Sequence, residues 1–388
     1  MIRFKLRWRH PLLNLSIFVY FISIIILAEI DNTATTALFY AAAFLCFICV
    51  ITKGITNNIK FYLYLLTAII SGLINIFFIG NLNIIRLLVL VIAFFITLLL
   101  LHPEIKASLL LSVYAIFSAF VFVMIVVKGL GNPIFEYVSN NYVSVYLLAP
   151  LVIYYTKTEC EGKDIRLLPA MIYWVLCGLA TSRMGLFTAS LLLAMLVIYR
   201  ERMKYGKIGG RMIVFVIILI TVPIALLALP YIASRYNDLY IVNRFLEMGM
   251  TSSARNRMWG EYLELLGNKK YLLFGAPTEL VYWSNRFYEG DLHNSYLIVH
   301  SNIGIAGFIG MIVLLVRSYL FGIKYKRKIY LITMSAFCIR ALTDHVFGCN
   351  RLSPVILFFL VFPMFYRHDF LKDRIGIIAT EYNHYKIK

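Results

Sequence analysis

The sequence predicts an all-α polytopic membrane protein of about twelve transmembrane helices, with one long extramembrane loop. Three observations predict it. Apolar residues make up 61% of the chain and the mean hydropathy is +0.82, whereas a soluble chain sits nearer half apolar. Apolar runs of about 17–25 residues recur from end to end, each able to cross a hydrocarbon core of about 30 Å. Lys and Arg gather in alternate loops, as in a chain that crosses a membrane repeatedly.

The elements follow in order. "MIRFKLRWRHP" is a basic start, and the apolar run after it is long enough to span while no small-residue cleavage site follows, so it reads as a first helix rather than a signal peptide. The spans read as 12–30, 35–52, 60–78, 83–101, 107–128, 142–156, 166–181, 184–199, 212–232, 294–322, 329–345 and 352–367. Spans six to eight are short, which suggests that one of them is broken or re-entrant. Cys46 and Cys49 form a C-x-x-C inside an apolar run with no polar partner, and read as core-packed thiols.

Orientation comes from the basic loops. Arg3, Lys5, Arg7 and Arg9 precede the first span, and Lys53, Lys60, Lys106, Lys157, Lys163, Arg166, Arg200 and "KYKRK" at 324–328 fall in alternate connections. Arg367, Lys372 and Arg374 follow the last span. Most of the net charge of +18 therefore belongs to one face of the membrane. It reports topology rather than a nucleic-acid partner, and places both termini in the cytoplasm.

The opposite face is sparse except for Ala233 to Asp291, a loop with equal numbers of acidic and basic residues and many aromatics. Loops this long are functional or disordered; the Tyr, Trp, Leu and Phe content argues for folded structure. Within it "SSARNRMWGEYLELLG" reads as an amphipathic helix: Met258, Tyr262, Leu265 and Leu266 share a face, Ser252 or Ser253 caps it, and Gly267 ends it. The whole chain, 1–388, reads as a single integral membrane domain.

Costly polar groups fall on this same outer side. His293 opens span ten in "GDLHNSYLIVH", Arg183 sits in the turn "TSRMG", Arg235, Arg244, Arg255 and Arg257 lie in the long loop, and Arg340, Asp344, His345 and Arg351 flank the last outer turn. Arginine near a membrane interior faces a cavity or an anion, and guanidinium grips phosphate oxygens bidentately. An imidazole is a general base suited to neutral pH. Structural readings stand beside these: a helix pair of Arg257 with Glu261, stacking of Arg255 on Trp259, snorkelling of Arg183, packing of His300, and an Asp344–His345 pair that satisfies Arg340. The outer face has no metal-ligand spacing and the chain has no P-loop.

"ARNRMWGEYLELLGNKKYLLFG" followed by "HNSYLIVHSNIGIAGFIGMIVLL" resembles the O-antigen polymerase and ligase superfamily. The resemblance rests on Arg255 and Trp259, Gly275 after an apolar pair, His293 and Asn294, and the Gly304, Ile305 and Gly307 stretch. Upstream, "TSRMG" matches a Ser-Arg turn common in the superfamily and "NNYVSVYLL" resembles a segment of the polymerase branch, though an Arg-x10-Gly is missing because Arg257 and Gly267 stand one residue too close. The resemblance implies a GT-C-like glycosyltransferase in the bacterial inner membrane. Its expected donor is an undecaprenyl diphosphate-linked glycan, used without metal or cofactor. It implies His293 as base, Arg255, Arg183, Arg244 and Arg340 on the diphosphate, and Asn294, Trp259 and Arg257 on the rest of the substrate. Expected partners are the lipid-linked glycans, membrane lipids and a chain-length regulator protein. The alternatives are a ligase that delivers glycan to lipid A-core and a polysaccharide transporter or flippase, for which Arg86 inside span four speaks.

Overall fold

The computed structural model describes residues 9–53, 59–80, 82, 84–129, 132–204, 253–288 and 291–365. The expected ninth span, 212–232, together with Arg235 and Arg244, lies outside them. Among the described residues the protein is all-helical, without a strand. The long helices are α1 (Arg9–Glu29), α2 (Thr33–Lys53), α3 (Ile59–Phe78), α4 (Ile84–Leu101), α5 (Ala107–Lys128) and α6 (Asn140–Cys160). Then come α7 (Leu168–Leu179) and α8 (Arg183–Lys204). The loop region holds α9 (Ser253–Leu265), α10 (Lys269–Phe274), a 3-10 turn (Thr278–Leu280) and α11 (Tyr282–Tyr288). The chain returns through α12 (Ser295–Lys324), α13 (Lys328–Ala341) and α14 (Ser353–Phe365). Six of these, α1, α2, α4, α5, α8 and α12, are long and apolar enough to cross a membrane. The protein is a multi-pass helical membrane protein.

α6 is as long as these but less apolar, and the structure shows why. Every residue from Val143 to Thr158 is buried, with α5, α7 and α13 as its neighbours. A helix sheltered from lipid on all sides carries polar groups where its neighbours satisfy them. Thr156 meets Thr333 of α13 at 2.9 Å, and the Tyr155 hydroxyl donates to the Arg166 carbonyl at 2.9 Å. The expected short spans resolve unevenly: α6 and α8 run longer than the apolar runs suggest, while α7 has only 12 residues.

The discontinuous helix is α12 instead. At Gly304 the backbone leaves helical geometry, with φ 65° and ψ −172°. A Cβ there would lie 2.4 Å from the Leu273 carbonyl oxygen, and one at Gly275 would lie 2.3 Å from that of Ser301. Both positions have positive φ, so glycine lets α10 press its backbone against the break. Asn75 of α3 completes the joint: its amide donates to the carbonyls of Phe274 (2.5 Å) and Ser301 (2.8 Å), and its Oδ1 accepts from the Leu82 amide. Backbone groups freed at a break in a membrane helix need such partners.

The loop helices form a small core of their own, with Met258, Tyr262, Ala276, Val281, Leu292 and Ile298 buried together. The expected amphipathic helix is α9, and its predicted face is the buried one. His300 belongs to this joint: its ring nitrogens meet Tyr262 at 2.7 Å and the Leu272 carbonyl at 2.9 Å. Cys46 and Cys49 are buried free thiols, as expected.

Candidate functional site

The site is built around Asp344, in the turn after α13, whose side chain is 1% exposed. A buried carboxylate needs partners. Arg340, one helical turn earlier and 0% exposed, forms an ion pair with it. The remaining guanidinium bonds anchor Arg340 to other elements. Nε donates to Ser144 Oγ at 3.0 Å, one terminal nitrogen to Thr343 Oγ1 at 2.8 Å, and the other to the Asn141 carbonyl at 2.8 Å. Arg340 was expected on the diphosphate. The structure instead gives it the work of holding Asp344 and tying α13 to the start of α6.

His293 stands at the entrance of α12 in the left-handed region, φ 47°, an uncommon conformation that costs on the order of 1 kcal/mol or more and persists only where neighbours impose it. The neighbours are visible. Asp291 Oδ1 accepts from the His293 amide at 2.8 Å. Asn294 caps α12, its side chain accepting from the Tyr296 and Leu297 amides. Trp259 Nε1 donates to the Leu292 carbonyl at 2.9 Å. Ser295 Oγ donates to the Asp344 carbonyl and accepts from the Val346 amide, both at 2.7 Å. The His293 segment is thus stapled to the Asp344 turn.

The side chains meet accordingly. His293 Nδ1 lies 3.4 Å from Asp344 Oδ1 and 3.8 Å from Asp291 Oδ2, and the imidazole is 12% exposed. A terminal nitrogen of Arg255 lies 3.9 Å from Asp344 Oδ1. Tyr142 donates to Asp291 Oδ2 at 3.1 Å. Burial opposes ionisation of Asp344, but Arg340, the His293 contact and Arg255 outweigh it and hold the carboxyl below its usual range. A carboxylate facing Nδ1 favours the tautomer with the proton there and the lone pair on Nε2.

The other expected residues are distributed around this centre. Arg183 opens α8 in a turn whose Ser182 hydroxyl donates to Ser144 Oγ at 3.3 Å, the same oxygen that receives Arg340. Gly185 permits this contact, since a Cβ there would lie 2.4 Å from that of Ser144. Arg257 lies outside the centre: its guanidinium covers the Trp283 ring at 5.0 Å, while Glu261 accepts from the Trp283 amide at 3.2 Å. Asn294 and Trp259 shape the His293 backbone. His345 turns toward the Gly348 carbonyl at 3.2 Å. Among the described residues no three His, Cys, Asp or Glu side chains gather as metal ligands.

Sequence reasoning missed Tyr142, Ser144 and Asp291. Asp291 stands two residues before His293, a spacing that an Asx turn would have suggested. Arg86 lies inside the fourth span as expected, in the first turn of α4, within electrostatic reach of Cys349. An apolar groove of about 110 Å³ lies between α3, α4, α12 and α14, and its lining includes Phe347, Gly348 and Cys349, which follow Asp344 in the chain. Leu90, Phe94, Ile303, Met311 and Ile356 line its length, and Asn302, Gly348 and Cys349 form its polar end.

Fold and site together define a class: a multi-pass helical membrane protein with a buried imidazole–carboxylate–guanidinium cluster where the loop helices meet α12 and the turn after α13. Comparison with protein-family models, with curated proteins and with solved structures finds no match for this chain.

Proposed function

We propose that the protein is a metal-independent glycosyltransferase of about twelve membrane spans that polymerises undecaprenyl diphosphate-linked repeat units into O-antigen at the periplasmic face of the inner membrane. The observation that carries this reading is the convergence of Arg255, His293 and Asp344, from three separate chain segments, within 4 Å contacts; the lining of the apolar groove begins three residues after Asp344, at Phe347. A hydroxyl of the acceptor unit attacks the anomeric carbon of the donor glycan. The carbon–oxygen bond to the diphosphate breaks, and the lipid diphosphate leaves with the electron pair. His293 Nε2 takes the hydroxyl proton, and Asp344 stabilises the resulting imidazolium. Arg255, Arg183 and Arg86 are the cations suited to the diphosphate's developing charge, and the groove suits its polyprenyl tail. The glycosyl phosphate bond supplies the driving force, so no nucleotide is required.

Replacing His293 with Ala tests the reading. The expected result is loss of long polysaccharide with membrane levels of protein unchanged; a wild-type ladder would refute it. In the ligase alternative, a deletion strain shows bare core instead of core bearing one repeat. Arg86 in α4 and the break at Gly304 are the features that favour a transporter. Purified protein that extends lipid-linked repeats without an ion gradient excludes that reading.

A further inference from the structure

The far end of the bundle carries a second feature with no part in the reaction above. α7, at 12 residues, is about 18 Å long, whereas its neighbour α8, at 22 residues, is about 33 Å. Both reach the site end, where Ser182 meets Ser144. The mismatch therefore appears at the opposite end, where α8 overhangs the start of α7.

The connection between α6 and α7 dips into that recess. The Tyr155 hydroxyl, more than a turn inside the end of α6, donates to the Arg166 carbonyl at 2.9 Å and accepts from the Ala170 amide at 3.1 Å. These bonds hold Arg166 below the level of α6's last residues. The result is a cleft of about 970 Å³, lined by Lys163, Asp164 and Arg166 of the connection and by Arg200, Met203 and Lys204 of α8. Lys163 is paired with Glu161 outside the cleft. Among the described lining residues, Arg166 and Arg200 are the guanidinium groups and Asp164 the carboxylate. The rim is apolar and open: Leu168, Met171 and Met203 are exposed.

We propose that this cleft binds the headgroup of an anionic phospholipid of the leaflet opposite the His293 site. The cations take the phosphate, and Leu168, Met171 and Met203 lie against the acyl chains. A soluble anion would use the charge but not the apolar rim. A zwitterionic lipid would use the rim while bringing its own cation to a cationic cleft. Basic pockets between membrane helices recognise anionic headgroups on this principle. The inference goes beyond the proposed transferase and does not depend on it.

Native mass spectrometry of the purified full chain in detergent tests it, with phosphatidylglycerol, phosphatidylcholine or inorganic phosphate as probe. Wild type should retain phosphatidylglycerol in preference to phosphatidylcholine. The double variant Arg166→Gln, Arg200→Gln should lose roughly tenfold or more of that retention. Asp164→Asn, which removes the carboxylate of the described lining, should strengthen it. Equal retention of the two lipids, an unchanged double variant, or phosphate that displaces the lipid at matched concentration would each overturn the proposal. If the double variant does not fold, Asp164→Asn decides: no gain in retention refutes the site.

Discussion

Asp344 is the residue on which the site turns. It faces Arg340 on one side and His293 and Arg255 on the other. Removing one member of such a buried pair costs about 3–5 kcal/mol because the other charge is stranded. Asp344→Asn is therefore expected to lose both stability and activity, which does not separate structure from chemistry. The double variant Arg340→Met, Asp344→Leu does. It replaces a buried pair with apolar volume, a change that is often neutral. Because the Arg340 bonds to Ser144 and the Asn141 carbonyl are lost as well, we expect a thermal midpoint below wild type but above that of Asp344→Asn, with turnover reduced roughly 10²–10⁴-fold, the range for loss of acid–base assistance. The pH dependence carries a definite sign. The folded-state pKa of Asp344 lies below its ordinary value, so its stabilising contribution is present above the unfolded pKa of about 3.9. That contribution is lost as pH falls through the lower folded value. Midpoints measured between pH 6 and pH 3 should fall in wild type and fall less in the double variant. At this scale the sequence revealed identities more readily than roles. His293, Arg255 and Arg183 were visible as costly groups on one side, but whether an arginine faces solvent or a buried carboxylate depends on contacts between distant segments. Arg340 meets Ser144 and Asn141, which lie on another helix; no local pattern encodes that.

Among the elements, the joint between α10 and α12 is the most demanding. Gly275 and Gly304 each admit a backbone oxygen where a Cβ would stand. Their substitution by Ala combines overpacking, about 1–3 kcal/mol, with a positive φ that L-residues avoid. Gly310, on the same helix, has open space at its Cβ position and serves as the control. We expect Gly304→Ala to lower the thermal midpoint of the detergent-solubilised protein by several degrees and Gly310→Ala to leave it unchanged or raise it slightly. Asn75→Leu should act like Gly304→Ala, since it strands the Phe274 and Ser301 carbonyls, at about 1–3 kcal/mol for an unsatisfied buried group. Hydropathy located α12 but not its break, because Gly304 and Gly307 in an apolar run read the same whether the helix continues or stops. Nor could hydropathy separate a helix that faces lipid from one sheltered by protein. That is why α6, which is buried from Val143 to Thr158, read as a shorter span than it is.

Across the whole molecule, polar contacts sort the connections into two ends. At one end, Glu161 accepts from the Ala107 amide, Lys157 donates to the His102 carbonyl, and Glu159 accepts from the Ile329 and Tyr330 amides. At the other, Glu29 pairs with Lys128, Tyr142 reaches Asp291, and Arg340 reaches Asn141. The first set contains the loops that Lys and Arg mark as cytoplasmic; the second holds His293 and the loop helices. Among the described connections, basic residues thus picked out from sequence alone the ones that meet at one end, because each helix crosses from one group to the other and the alternation is imposed by crossing. Which group faces the cytosol is a separate matter, and the positive-inside rule supplies the expectation. Two exposed positions test it: Tyr282, on the loop helices, and Lys163, at the far end. A membrane-impermeant maleimide should label the Tyr282→Cys variant in intact cells and the Lys163→Cys variant only after the membrane is opened. The six native thiols are buried or half-buried, so the background is low. The reverse pattern would place the His293 cluster in the cytosol, away from any outer-face glycan, and the proposed reaction would lose its substrate. Labelling of both variants in intact cells would break the two-ended arrangement itself.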